Sequence, residues 1–135
     1  MDWSVNLLAV FVTAVAIFML GGLWYSPVLF AKRWVALQGK SMEEMSSGSN
    51  AGSYVQVFVC GLVTAWVMGL LTRHMPAPSL HHGLLLGALL WLGFAGATSY
   101  GTALFSSKPK ALWAIDSGFN LVSFLLAGVI LSVWR

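Results

Sequence analysis

Four apolar segments, each long enough to cross a lipid bilayer, occupy most of this 135-residue chain. A membrane-spanning helix needs about 20 predominantly apolar residues at a rise of about 1.5 Å per residue. The pattern therefore predicts an all-α fold: an integral membrane four-transmembrane-helix bundle in a single domain. The predicted spans cover residues 5–25, 54–71, 83–105 and 112–134 of a domain that comprises residues 1–135.

The composition agrees with a lipid environment. Hydrophobic residues make up 59% of the chain and charged residues 8%, with a mean hydropathy of +0.83. A soluble domain carries about a quarter charged residues, so this chain has too few polar groups to cover a water-facing surface. The lipid bilayer is the predicted partner. The basic residues flank the apolar segments, which indicates membrane orientation and no nucleic-acid partner.

The first apolar segment is interpreted as a retained transmembrane helix. Asp2 stands where a secretory signal carries positive charge, and the apolar run is longer than a signal core. Between the first two spans, Phe30, Trp34 and Leu37 recur at i, i+4 and i+7, with basic residues elsewhere around the turn. This spacing predicts a short interfacial amphipathic helix within residues 28–40.

Aromatic and basic residues near the span ends predict anchoring and orientation. Five of the seven Lys and Arg residues fall in the loops after spans one and three. Cytoplasmic loops carry such an excess, so loops 26–53 and 106–111 are predicted to be cytoplasmic, with both termini outside. Trp and Tyr concentrate where the bilayer meets water. The predicted interfacial anchors are Trp3, Trp24, Tyr25, Trp34, Trp113 and Trp134.

Small residues at four-residue spacing predict the helix-packing faces. Lipid tails provide no hydrophobic drive between helices, so helices associate where small side chains let their backbones approach closely. Packing within the four-helix bundle is favoured over a dedicated dimer motif. The small residues of spans two and three are Gly61, Ala65, Gly69, Gly83, Gly87, Gly93, Ala97 and Gly101.

Polar residues within the spans predict a cluster centred on Asp116. Asp116 and Asn120 lie one turn apart on the fourth span, so they share a stripe of that helix. Polar side chains of spans two and three lie at a similar depth, in the half of the bundle that is predicted to be cytoplasmic. The predicted members are Asp116, Asn120, Ser123, Gln56, Thr98 and Thr102.

Two interpretations of this cluster remain open. As a solute site, it would use Asp116 as the ionisable group, because carboxylates inside membranes can carry protons or ions. As a structural site, Asp116 would accept hydrogen bonds and fix the helix register. Asp116 lies one turn past Trp113, near the positive end of its helix, and no basic residue lies well inside a span. The structural interpretation is therefore favoured.

Common catalytic and metal-binding patterns are not found in the sequence. There is no nucleophile–base pair, glycine-rich phosphate loop or dinucleotide fingerprint. The single Cys60 rules out an internal disulfide. His74, His81 and His82 have no nearby carboxylate or thiol to complete a metal site. We therefore predict no enzymatic activity, no catalytic residue, no cofactor and no metal.

The stretch GGLWYSPVLFAKRW, residues 21–34, resembles a signature of the domain of unknown function 1761 family, which comprises small, mainly bacterial membrane proteins. Residues 89–98 (LLWLGFAGAT), residues 115–134 (IDSGFNLVSFLLAGVILSVW) and the MEE after the amphipathic stretch are similar to it as well. The resemblance implies four helices and a bacterial inner membrane, and it implies no particular function. It also implies that asparagine can stand at the position of Asp116, which favours hydrogen bonding over proton transfer.

Two functions fit these features. The favoured one is a structural or accessory subunit, without catalytic activity, that packs with copies of itself or with a larger membrane complex. The alternative is a minimal oligomeric transporter or channel for a proton, a cation or a small solute, built around Asp116. Four helices enclose little volume, so transport would require oligomerisation.

Overall fold

The structure, a computed structural model, describes residues 2–47, 50–76 and 79–135, and these residues form helices and no strand. Four of the helices in this part of the chain are long and apolar enough to cross a membrane, each within one turn of a predicted span. The third of them is continuous from α5 to α6. The elements are α1 (Leu7–Trp24), α2 (Ala31–Leu37), α3 (Met42–Ser47), α4 (Ala51–Arg73), α5 (Leu80–Leu90), a π-helical segment (Trp91–Gly96), α6 (Ala97–Phe105) and α7 (Lys110–Val133).

Short polar side chains start three of these helices. The Asn6 side chain accepts from the backbone N–H of Ala9 at the start of α1, at 3.1 Å. Asn50 and Ser79 cap α4 and α5 in the same way. Each cap satisfies one of the N–H groups that the first helical turn leaves without a partner.

Helix α7 occupies the centre of the bundle, where it packs against α1, α4 and α5. Helix α4 also packs along α1. The residues buried between α1, α4 and α7 form the hydrophobic core. They are small or aliphatic, namely Ala9, Val10, Ile17, Ala65, Met68, Ala127 and Leu131.

Both termini lie at the same end of the bundle. The Asp2 carboxylate pairs with the Arg73 guanidinium at 2.9 Å, and Arg135 Nη2 donates to the Arg73 carbonyl at 2.6 Å, at the C-terminal end of α4. Hydrogen bonds from Ser4 and from Arg73 hold the pKa of the exposed Asp2 carboxyl well below its usual value. The loops after the first and third long helices therefore meet at the opposite end.

The small residues fall into two groups. Gly83 and Gly87 face α7 so closely that an added Cβ at Gly83 would overlap the Gly128 carbonyl oxygen. Gly61, Ala65 and Gly69 are buried against the neighbouring helices. In contrast to the prediction, the remaining three do not pack against the bundle: Ala97 is exposed, and an added Cβ at Gly93 or Gly101 would meet open space.

The π-helical segment explains why the packing face changes along the third long helix. A π turn forms i→i+5 hydrogen bonds and inserts an extra residue, which rotates the following residues around the helix axis. The ring of Trp91 consequently lies over Gly96, five residues later, at 3.0 Å from an added Cβ. Trp91 Nε1 also donates to the carbonyl oxygen of Ser117 on α7, at 2.8 Å. Small residues after Trp91 no longer follow the face set by Gly83 and Gly87.

Candidate functional site

Asp116 accepts hydrogen bonds from three different parts of the chain. The Tyr25 hydroxyl donates to Oδ1 at 2.7 Å, and Trp34 Nε1 donates to the same oxygen at 2.9 Å. Lys108 Nζ donates to Oδ2 at 3.3 Å. One carboxylate in the first turns of α7 thereby connects the end of α1, the short helix α2 and the loop before α7.

Local turns bring the first two donors to Asp116. Helix α1 ends at Trp24, and Pro27 follows two residues after Tyr25, where it cannot donate a helical hydrogen bond. The chain then turns into α2, which buries Ala31 and Val35 and packs against α7. The short helix predicted within residues 28–40 is thus present, and it presents an indole N–H to the carboxylate.

A helix cap positions Lys108. The N–H of Lys108 bonds to the carbonyl of Ala103, at 3.0 Å, and Ser107 adopts a left-handed conformation with φ of 55°. This arrangement resembles the usual way in which a helix ends before a turn. It directs the chain through Pro109 into α7 and leaves the Lys108 side chain beside Asp116. Both charged side chains are partly exposed, at 37% and 34%.

Aromatic rings surround the carboxylate on the bundle side. Tyr25 packs edge to face against Trp34 and Phe119, with ring centroids 5.2 and 5.7 Å away. Trp24 packs against Phe30 at 4.9 Å, and its Nε1 donates to the carbonyl of Ile115 at 2.9 Å. Aromatic pairs at such distances add stability beyond the burial of their surface. The aromatic side chains at the end of α1 therefore contact α7 at Ile115 and Phe119, on either side of Asp116 in the sequence.

Two glycines make room for this aromatic cluster. An added Cβ at Gly118 would lie 3.1 Å from Trp24 Cζ2, and one at Gly21 would lie 3.3 Å from Phe119 Cζ. Contacts of this kind are tighter than ordinary van der Waals separation. The absence of a side chain at each position thus lets a large ring of the partner helix lie close to the backbone.

The Tyr25 hydroxyl acts as a donor at neutral pH. Tyr25 lies one residue past the end of α1. Burial, reinforced by the hydrogen bond to the Asp116 carboxylate, raises the pKa of the Tyr25 phenol above its ordinary value of 10.0. The phenol therefore keeps its proton, and the oxygen of Asp116 serves as its acceptor.

The polar cluster predicted from the sequence is not joined by hydrogen bonds. Asn120, Gln56, Thr98 and Thr102 are exposed, and Ser123 is buried without a hydrogen-bond partner among the described residues. Thr98 and Thr102 donate back to carbonyls of their own helix, at 2.9 and 3.3 Å. A hydroxyl inside a helix reaches the carbonyl four residues earlier, so it needs no partner on another helix. The donors to Asp116 are instead Tyr25, Trp34 and Lys108.

The predicted interfacial anchors also make specific contacts. Trp3 stacks on Trp66, with ring centroids 6.0 Å apart, and Trp113 Nε1 donates to Ser99 Oγ at 2.9 Å. Trp134 is exposed. The three remaining anchors, Trp24, Tyr25 and Trp34, all donate to residues 115 and 116 of α7.

A family model described as "Protein of unknown function (DUF1761)" matches residues 8–132. The chain belongs to the DUF1761 family. The family resemblance predicted from the sequence is thereby confirmed. No curated protein matches the chain, and no solved structure matches it.

In this DUF1761 chain, the two longest stretches that carry the resemblance meet in space. Trp24, Tyr25 and Trp34 come from residues 21–34, and Asp116 comes from residues 115–134. Sequence reasoning assigned the aromatic residues to the membrane interface and Lys108 to the charge bias. It therefore missed the hydrogen bonds of Tyr25, Trp34 and Lys108 to Asp116 and that of Trp24 to the Ile115 carbonyl. Trp24, Tyr25 and Trp34 lie close together within one motif, and this spacing was the signal that could have assigned them to one site.

The three histidines of this DUF1761 chain lie at the end of α4 and at the start of α5. Among residues 2–47, 50–76 and 79–135, no three His, Cys, Asp or Glu side chains lie close enough together to hold a metal ion. Near the predicted histidine loop, His74 Nδ1 lies 2.8 Å from the carbonyl of Leu70, and His82 Nδ1 lies 2.8 Å from Ser79 Oγ. Each of these two rings is thus engaged close to its own helix end.

Replacing Trp24 with phenylalanine is expected to lower the free energy of unfolding by about 1 kcal/mol, the usual net worth of one hydrogen bond. Phenylalanine keeps an aromatic ring against Phe30 but cannot donate to the Ile115 carbonyl. Thermal stability in detergent, measured as the fraction that stays monodisperse after heating, gives the comparison. The control is Trp3→Phe at a side chain that is 59% exposed, and it should change stability by less than about 0.5 kcal/mol. Equal losses in the two variants would show that the indole N–H of Trp24 does not matter.

Proposed function

We propose that this chain is an integral membrane protein without catalytic activity, a structural or accessory subunit that packs with copies of itself or with a larger membrane complex. Four helices of sufficient length and hydropathy support insertion into a bilayer. Many large apolar side chains on their outer faces, such as Leu8, Phe94 and Phe105, are exposed. Such side chains suit lipid or another membrane protein.

The proposed orientation puts the Asp116 end of the bundle in the cytoplasm of a bacterial cell, with the protein in the inner membrane. The loops 26–53 and 106–111 hold Lys32, Arg33, Lys40, Lys108 and Lys110, whereas the opposite end holds Arg73 and Arg135. The excess of positive charge supports this direction. Both termini would then lie outside.

The observation that carries the proposal is the set of three donors to Asp116. Both carboxylate oxygens are engaged, and the donors belong to three separate segments. A carboxylate that carries a solute must release its partners and take new ones in each cycle. Leaving the partly buried Tyr25 and Trp34 donors without an acceptor would cost about 1–3 kcal/mol each. The arrangement therefore suits a fixed tie between segments.

Two pockets of the structure lie away from Asp116. An open pocket of about 300 Å³ is lined by Asp2, Arg73, His74 and Arg135, and a second one of about 10 Å³ lies beside it. Both belong to the end of the bundle that holds the termini. Neither is lined by Asp116, so neither supplies a path to the carboxylate.

The native mass in mild detergent tests the proposal. We expect a particle that contains more than one 14.6 kDa chain or another membrane protein. Reconstituted vesicles provide the second measurement: wild type and Asp116→Asn should show the same low proton and cation flux. A lone monomer would contradict the subunit proposal. Flux that Asp116→Asn abolishes would instead favour the transporter.

A further inference from the structure

Asn120 is a polar side chain near the middle of a long apolar helix. It lies about halfway along α7, its side chain is exposed, and it forms no hydrogen bond with the described residues. An amide carries two N–H donors and one carbonyl acceptor. At that depth of a bilayer neither water nor a lipid tail can satisfy these groups. The Asn120 amide therefore needs a hydrogen-bond partner on another protein surface.

The exposed Asn120 lies on a face of α7 that α4 covers at its other end. Asn120, Ala127 and Leu131 share one face of α7, and Ala127 and Leu131 are buried, at 0% and 3% exposure. Helix α4 covers that end of the face, where Thr72 Oγ1 donates to the Leu131 carbonyl at 3.3 Å. The Leu131 end of this α7 face is thus covered by α4, whereas the Asn120 end is exposed.

Three turns earlier along α4 and α7, the α7 face is exposed at Asn120. The α4 residue at that level is Gly61, which packs against Ala14 of α1, with an added Cβ 3.8 Å from the Ala14 carbonyl oxygen. Its neighbour Cys60 is exposed. At this level Gly61 of α4 thus faces α1, and Asn120 on α7 is exposed.

We propose that a second copy of this chain covers this open face, with the Asn120 amides of the two copies hydrogen-bonded to each other. Copies inserted in the same direction are related by a two-fold axis along the membrane normal, which brings residues of equal depth together. An amide both donates and accepts, so two Asn120 side chains are complementary to each other. Asparagine side chains are known to hold membrane helices together in this way.

This inference rests on the proposed function, because it names the partner that the subunit packs against. The test uses the full chain in mild detergent and follows dimer dissociation by energy transfer between labelled copies. Asn120→Leu is expected to raise the dimer dissociation constant about tenfold, in line with one interhelical hydrogen bond. Asn120→Gln keeps an amide and should restore most of the affinity.

Val122→Leu is the matched control. Val122 is exposed, lies about 3 Å further along the axis and points to nearly the opposite side of α7. The Val122→Leu variant should therefore have the same dimer dissociation constant as wild type. Because Asn120 is exposed within one copy, Asn120→Leu should keep its helical content, which circular dichroism checks.

The outcomes separate this inference from the function on which it rests. A wild-type oligomer that Asn120→Leu leaves intact overturns the Asn120 contact while the subunit proposal stands. A single copy bound to a different membrane protein likewise overturns the Asn120 contact and leaves the subunit proposal standing. A lone wild-type monomer overturns both. Flux that Asp116→Asn abolishes, in an oligomer that still depends on Asn120, overturns the structural function alone.

Discussion

Gly83→Ala is expected to lower the free energy of unfolding by about 3 kcal/mol, the upper end of the usual cost of overpacking. The added Cβ would overlap the Gly128 carbonyl oxygen and Ser132 Oγ and would lie 2.7 Å from the Gly128 carbonyl carbon. Two of these atoms belong to the backbone of α7, so no side-chain rotation can relieve the overlap. Helices α5 and α7 would have to move apart along their contact. Unfolding by sodium dodecyl sulfate in mixed micelles, followed by tryptophan fluorescence, measures the loss.

Gly93→Ala is the matched control on the same long helix. An added Cβ at Gly93 would meet no atom within 4 Å. Alanine is a better helix former than glycine by about 1 kcal/mol, so this variant should be as stable as wild type or slightly more stable. Similar losses at both positions would contradict the close α5–α7 contact.

Asp116→Leu is expected to lower the free energy of unfolding by about 3 kcal/mol, because it leaves partly buried donors without an acceptor. The Tyr25 hydroxyl and Trp34 Nε1 both donate to Oδ1, and leucine offers no oxygen. The turn after α1 and helix α2 should detach from α7. Faster proteolysis in the segment between α1 and α4, relative to wild type, would report that release alongside the loss of stability.

Asp116→Asn separates hydrogen bonding from charge at the same position. Asparagine keeps a neutral oxygen for Tyr25 and Trp34. It loses the partly exposed ion pair with Lys108 and the charge that strengthens the two other hydrogen bonds. Partly exposed ion pairs contribute about 0–1 kcal/mol, and neutral hydrogen bonds are weaker than charge-assisted ones, so the asparagine variant should lose about 1–2 kcal/mol, less than the leucine variant. A loss as large as that of the leucine variant would show that the negative charge holds the segments together.

The sequence by itself determined the number and extent of the long helices, because apolar length is a local property. Each predicted span lies within one turn of an observed long helix, and the helix between the first two spans is present as α2. The family could also be recognised from short stretches of sequence. None of these features depends on which helix lies beside which.

Only the tertiary structure decided which faces meet and what Asp116 binds. The four-residue spacing predicted packing for Gly83 with Gly87 and for Gly93 with Ala97 and Gly101, but only the first pair lies close against α7, and a π turn begins at Trp91 between the two groups. Hydroxyls at the depth of Asp116 found acceptors on their own helix, so depth did not imply contact.

Tyr25, Trp34 and Lys108 reach Asp116 because a turn and a short helix fold back over the end of α7. The path of such a turn depends on long-range packing. No period or spacing within a single segment encodes it.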